Sequence, residues 1–128
     1  MTGIKTALDA LLNDQATPLD QAIDRHFHSD YRQRTNGVWD DRAGFTAHIE
    51  HLRTIVKVAA IDVVDEISAG EQYADRHIVD IEKRDGTHVV QEVYLFGERA
   101  PDGRFLRIEE VTLMLVGAEE DRGLGSAR

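Results

Sequence analysis

Glu110 and His77 are the residues of this sequence best suited to proton transfer, each a titratable side chain set in an apolar strand-like run. From Phe105 to Val116, Ile108, Glu110, Thr112 and Met114 fall on one face. Glu109, Val111, Leu113 and Leu115 fall on the other. Both faces are largely apolar, so both are expected to be covered, one by helices and one by a partner subunit. A carboxylate buried there needs hydrogen-bond partners or it takes a proton, which makes Glu110 a candidate acid, base or acceptor. The competing reading is a rim residue in a surface salt bridge, the commoner fate of an acidic side chain. A slip of one residue would turn Glu109 inward instead.

His77 shares its face with Tyr73, Asp75, Val79 and Ile81. Histidine titrates nearest neutral pH, so beside Glu92 or Glu110 it could transfer protons; a hydrogen-bonded core histidine is the other reading. Glu92 shares a face with Val90, Tyr94 and Phe96, and reads either as a pocket residue or as an edge charge that blocks aggregation. Tyr31 and Gln33 alternate with Arg32 and Arg34, and the neutral pair costs less to bury, so Tyr31 and Gln33 are expected to face inward. Trp39 is a candidate pocket lid or a packing anchor for the following helix. His48 falls on an apolar helical stripe with Phe45 and Leu52 and is expected to look into a cavity. His48 and His51 lack the third ligand and the motif that would fix a metal, so no metal site is expected.

These side chains need elements to position them. Ile4, Leu8, Leu11 and Leu12 predict a helix over residues 3–13. Thr17-Pro18 opens a second, with Thr17 as expected N-cap and Leu19, Ala22, Ile23 and Phe27 on its apolar side. Tyr31 to Thr35 reads as a short strand ended by Asn36-Gly37. Asp40 or Asp41 caps a third helix over about residues 40–56, with Phe45, Ile49, Leu52 and Val56 on its inner face. The pattern then turns to alternation. Four long strands follow, Val58 to Ile67, Tyr73 to Lys83, Val89 to Glu98 and Phe105 to Val116. The turns at Gly70, Asp85-Gly86 and Pro101-Asp102-Gly103 are short enough to force antiparallel neighbours. Helices gathered N-terminally against one antiparallel sheet make an α+β layer fold. The expected domain is residues 1–116, followed by a polar, Gly-rich flexible tail over 117–128.

Composition narrows the function. The 128 residues carry a net charge of −9, which disfavours nucleic-acid binding. The absence of cysteine removes thiol catalysis, zinc–thiolate sites and disulfides. The N-terminal stretch does not read as a signal peptide and no apolar run reaches the roughly 18 residues that cross a membrane, so a soluble, cytoplasmic protein is expected. No GxGxxG, GxxxxGK[ST] or GxSxG pattern occurs, so nucleotide-fuelled chemistry and serine hydrolysis lack support.

Three stretches carry a resemblance. The run from His26 through Tyr31-Arg32-Gln33-Arg34 to Gly37 resembles the helix-to-strand segment of SnoaL-like proteins, of the nuclear-transport-factor-2-like (cystatin-like) superfamily. Gly70 to His77 resembles their turn-and-strand pattern, and Asp102 to Glu110 resembles their closing strand. The resemblance implies a strongly curved, mostly antiparallel sheet wrapped by the N-terminal helices, cone-shaped, with a pocket at its open end. It implies cofactor-free acid–base work on a small apolar, polyketide-like or steroid-like ligand, as in isomerases, cyclases and dehydratases. It places the cyclase-type acid at Glu110 and implies a homodimer through the outer sheet face. A non-catalytic ligand-binding module or a dimeric interaction domain stays open as the alternative.

Overall fold

The computed structural model describes residues 2–124. The first helix is divided. Ile4 and Ala7, buried at helical spacing, hold α1 (Ile4–Leu8), which then widens into a π-helical turn over Asp9–Asn13. The widened turn is tied from outside. Arg53 donates to the carbonyls of Ala10, Leu11, Asp14 and Thr17. Asn13 bonds both backbone groups of Ala59. In α2 (Leu19–His26), Ala22, Ile23 and His26 are buried. Thr17 is not its N-cap: the hydroxyl donates to Asp14 and Pro18 holds the cap position.

β1 (Phe27–Thr35) starts directly at the end of α2, earlier than Tyr31. At Asn36 (φ 50°) and Gly37 (φ 88°) the chain makes the left-handed turn that suits a two-residue hairpin. It returns as β2 (Val38–Asp41), a strand the residue pattern did not announce. Asp41 then caps α3 (Arg42–Ile55), accepting the Gly44 N–H at 2.8 Å, a bond worth about 1 kcal/mol. The buried side of α3 is Phe45, His48, Ile49 and Leu52.

β3 (Val56–Ala69), β4 (Gln72–Lys83), β5 (His88–Arg99) and β6 (Phe105–Val116) follow as an antiparallel meander. The sheet order is β2-β1-β6-β5-β4-β3. It is mostly antiparallel, and the pair β1–β6 runs parallel. Register shifts interrupt β1–β6, β3–β4 and β5–β6. Each such bulge bends its strand and increases local twist, so the sheet curves around its inner face without closing. That face and the helices share one core, in which Phe27 packs against Tyr31, Phe45 and Phe105 at centroid distances of 4.7, 4.8 and 5.8 Å.

The chain does not leave β6 as a loose tail. Glu119–Asp121 form a 3₁₀ turn. Asp121 accepts from Lys83 Nζ at 3.0 Å and from the Ala118 N–H, and Leu124 returns to the core, 7% exposed. A lone leucine in a polar, Gly-rich stretch gives no periodicity to read, which is why the expected tail over 117–128 included it. Residues 125–128 of that stretch lie outside the described residues. Among the described residues no helix is long and apolar enough to cross a membrane.

Candidate functional site

Between the concave sheet and the helices lies a cavity of about 100 Å³. Its wall is mainly apolar, drawn from α1, α3 and the inner positions of β4, β5 and β6, with Leu124 closing one side. Into this wall project the polar side chains of Tyr31, Gln33, His48, His77, Gln91, Glu110 and Thr112.

β1 supplies the first half. Strand alternation puts Tyr31, Gln33 and Thr35 on the inner face, all buried, while Arg32 and Arg34 point out. Their side chains form one directed chain. Tyr31 Oη donates to Gln33 Oε1 at 2.8 Å, Gln33 Nε2 to Thr35 Oγ1 at 3.3 Å, and Thr35 Oγ1 to Glu110 Oε1 at 3.1 Å. Every donor points towards the carboxylate, which leaves Glu110 Oε2 for whatever occupies the cavity. The parallel β1–β6 pairing makes this possible, since Thr35 is the register partner of Glu110.

β4 supplies the second half. His77 Nδ1 and Asp75 Oδ1 are 2.6 Å apart, and both side chains are essentially inaccessible, 2% and 0% exposed. An acceptor carboxylate at Nδ1 keeps the ring proton there and leaves Nε2 as the nitrogen available to a ligand. Asp75 Oδ2 is buried without a hydrogen-bond partner among the described residues. In register, Asp75 pairs with Leu95 and Leu95 with Glu110, so the two carboxylates lie in one row across the sheet.

The electrostatics follow from this crowding. Burial is the main cause that lifts the Glu110 carboxyl above the usual carboxylate range, and the Asp75 charge adds to it; the His77 charge and the Thr35 hydroxyl pull the other way. Burial, helped by Glu110, also pushes the Tyr31 phenol well above its ordinary value. The phenol therefore stays a neutral donor.

The register test resolves in favour of Glu110. Ile108, Glu110 and Thr112 face the helices, while Glu109 points out and pairs with Arg107. Tyr31, Gln33, His48 and His77 join Glu110 in the cavity wall, as their strand and helix faces predict. Two expected residues do not. Glu92 lies on the outer face, bonded by Tyr94 at 3.2 Å and 3.7 Å from Arg76. On β5 the inner set is Val89, Gln91, Val93 and Leu95. Trp39 is 45% exposed on the short edge strand β2, in a surface cleft with Arg32 stacked over its ring at 4.7 Å, so it is neither lid nor core anchor.

Asp75, Thr35 and Gln91 belong to the site, although the residue pattern did not single them out. Asp75 and Thr35 carried a readable signal, being two positions from His77 and Gln33 on the same strand faces. Gln91 was hidden because both faces of β5 are rich in apolar residues.

No family model matches the sequence, and no curated protein matches it. Solved structures do. An NTF2-like protein of unknown function from Exiguobacterium sp. 255-15 aligns at a TM-score of 0.69 and 14% identity, over 88% of this chain and 98% of that one. IdmH from Streptomyces antibioticus, a proposed polyketide cyclase, aligns at 0.67 and 13% identity, over 85% and 88%. A proposed isomerase of the SnoaL-like family from Agrobacterium tumefaciens aligns at 0.62 and 14% identity, over 85% and 92%. At such identities the likeness speaks for architecture, and the architecture is plain: this chain has the NTF2-like cone fold that SnoaL-like proteins share.

Proposed function

We propose that the protein is a small-molecule enzyme of the isomerase, cyclase or dehydratase kind, with Glu110 moving a proton to or from a carbon or oxygen of a small, mostly apolar ligand. The observation that carries the reading is the convergence of Glu110 and of His77, itself bonded to Asp75, on one mainly apolar cavity. A carboxyl lifted by burial is poised to exchange a proton nearer neutral pH than an exposed one. His77, oriented by Asp75, would bond the ligand oxygen on which charge develops, and the Tyr31–Gln33–Thr35 chain would hold the carboxyl in place. His48 would complete the binding wall. The same architecture in proteins proposed as a polyketide cyclase and an isomerase supports the class.

The cavity volume bounds the ligand to roughly one ring, since drug-sized sites run to several hundred Å³. The same small volume favours a second reading, a binding module that closes around its ligand without turnover. Deuterium uptake separates the two. Cyclic ketones and enones incubated with the protein in D₂O should gain deuterium next to the carbonyl, followed by NMR. Glu110→Gln should slow that uptake about 10²-fold or more, the usual scale of general acid–base catalysis. Uptake no faster than in buffer, or unchanged in the variant, rules out the catalytic role.

We further propose that the chain works as a homodimer through the outer face of β5 and β6, where Tyr94, Phe96, Val111, Leu113 and Leu115 are exposed.

A further inference from the structure

Gln91 lines the cavity but takes no part in the chain of bonds that ends on Glu110. It is 6% exposed, and its Nε2 is buried without a hydrogen-bond partner among the described residues. Its nearest neighbours in the sheet are apolar: Val89 and Val93 flank it on the inner face of β5, and its register partners are Val79 and Met114. An amide nitrogen buried among such neighbours pays for lost hydration with no bond in return. Methionine or leucine would fill the place without that penalty. A bulge in the β5–β6 ladder lies at this point, between the pairs Val90–Val116 and Gln91–Met114, and bulges commonly mark strands that re-aim a side chain at a site.

We propose that Gln91 is the specificity-determining anchor of the cavity, its amide bonding a carbonyl or hydroxyl oxygen of a neutral ligand. This rests on the small-molecule reading given above and adds the ligand's chemistry to it. Neutrality follows from Asp75 and Glu110, whose carboxylates repel an anion in the same row of the sheet. The position of the oxygen follows from register. Leu95, four residues along β5, is the partner of Glu110, so the backbone positions of Gln91 and of the Glu110 row stand roughly 13 Å apart along the strands. The Gln91 amide therefore meets the ligand from a different stretch of the cavity wall than Glu110 does.

The test uses cyclohexanone and methylenecyclohexane, which share a shape and differ in the oxygen, titrated into the full, ¹⁵N-labelled chain. Both should shift the backbone amides of Val93 and Ile108. The ketone should bind about 3- to 10-fold more tightly, the range of one neutral hydrogen bond, and only the ketone should move the Gln91 side-chain NH₂ signal. Gln91→Met and Gln91→Leu should erase the preference and raise the melting temperature. Equal affinity in the wild type, or a preference that survives in Gln91→Met, overturns the anchor and leaves the pocket reading intact. If both Gln91 variants melt lower, the amide is a structural bond and the inference fails. If neither probe shifts the cavity residues, the pocket reading fails and the anchor fails with it.

Discussion

Burial and bonding pull the Glu110 carboxyl in opposite directions. Desolvation raises its pKa most, and the His77 charge and Thr35 hydroxyl only partly offset that. A carboxyl whose folded pKa lies above its unfolded one binds more protons in the native state through the interval between the two. Its stabilising contribution is therefore whole below the unfolded value and is lost as pH rises through the folded one. Glutamine cannot ionise, and its oxygen still accepts from Thr35. Urea unfolding of the wild type and Glu110→Gln should thus agree most closely at acidic pH, with the variant gaining relative stability as pH rises. A constant difference across the series would show that Glu110 ionises as freely in the fold as in the unfolded chain. In β6 the division into two sets was legible, because Ile108, Glu110 and Thr112 alternate with Glu109, Val111 and Leu113, but which set faces inward was left open because both are largely apolar. In β5 the expected face was the wrong one. Tyr94 and Phe96 look like core residues by type, yet they are half-exposed, and the smaller Val89, Val93 and Leu95 point inward with Gln91. Residue type alone misreads a sheet when both faces are apolar.

Glu110 meets Thr35 only because β1 lies parallel to β6, and one short turn fixes that pairing. Asn36 sits at φ 50°, a region that costs most side chains about 1 kcal/mol or more. Its backbone N–H donates to the Glu110 carbonyl at 3.0 Å. Its side chain clamps the next residue on that face: Nδ2 donates to Thr112 Oγ1 at 2.9 Å and Oδ1 accepts the Thr112 N–H at 2.9 Å. Asn36→Ala loses both side-chain bonds and strains the turn, so it should cost roughly 2–3 kcal/mol. Asn36→Gly keeps the backbone conformation and should cost about half as much. Chemical denaturation gives the two values, and hydrogen exchange should speed up at the Thr112 amide in both. Equal costs would mean that the turn strain, rather than the clamp, has been misjudged. The asparagine–glycine pair announced a turn, and the meander from β3 to β6 was readable from its glycine turns and alternation. The parallel pairing was not, because a contact between residues 75 positions apart leaves no local period, and the four residues of β2 are too few to show one. The π-helical turn escaped for a related reason: Arg53, some forty residues later, holds its carbonyls.

Across the whole molecule, the strands that line the cavity on one side expose a second apolar surface on the other. Val111 and Leu113 are 54% and 55% exposed, and Tyr94, Phe96 and Leu115 continue the patch across β5 and β6. Monomeric proteins rarely leave so contiguous a patch in water. Its flanks carry charge in paired form, Arg76 with Glu92 and Arg107 with Glu109, so a second copy can meet it without stranding a charge. The net charge of −9 opposes association, and the apolar contact has to overcome that repulsion. Two copies joined face to face should bury on the order of 1,200–2,000 Å² in total, the size of a stable interface. Sedimentation should therefore give twice the chain mass of 14.4 kDa at micromolar concentration. Leu113→Glu places a like charge opposite its own copy in a symmetric contact, and should weaken the dimer roughly 30-fold or more, with Val111→Lys acting in the same direction. Because alternate residues of one strand serve opposite faces, neither substitution touches the cavity wall. The monomer that Leu113→Glu produces should keep the wild-type affinity for cyclohexanone in the same NMR titration. A wild-type chain that sediments as a monomer overturns the dimer, and a Leu113→Glu monomer that no longer takes the ketone would show that the partner, through β5 and β6, holds the inner face in shape.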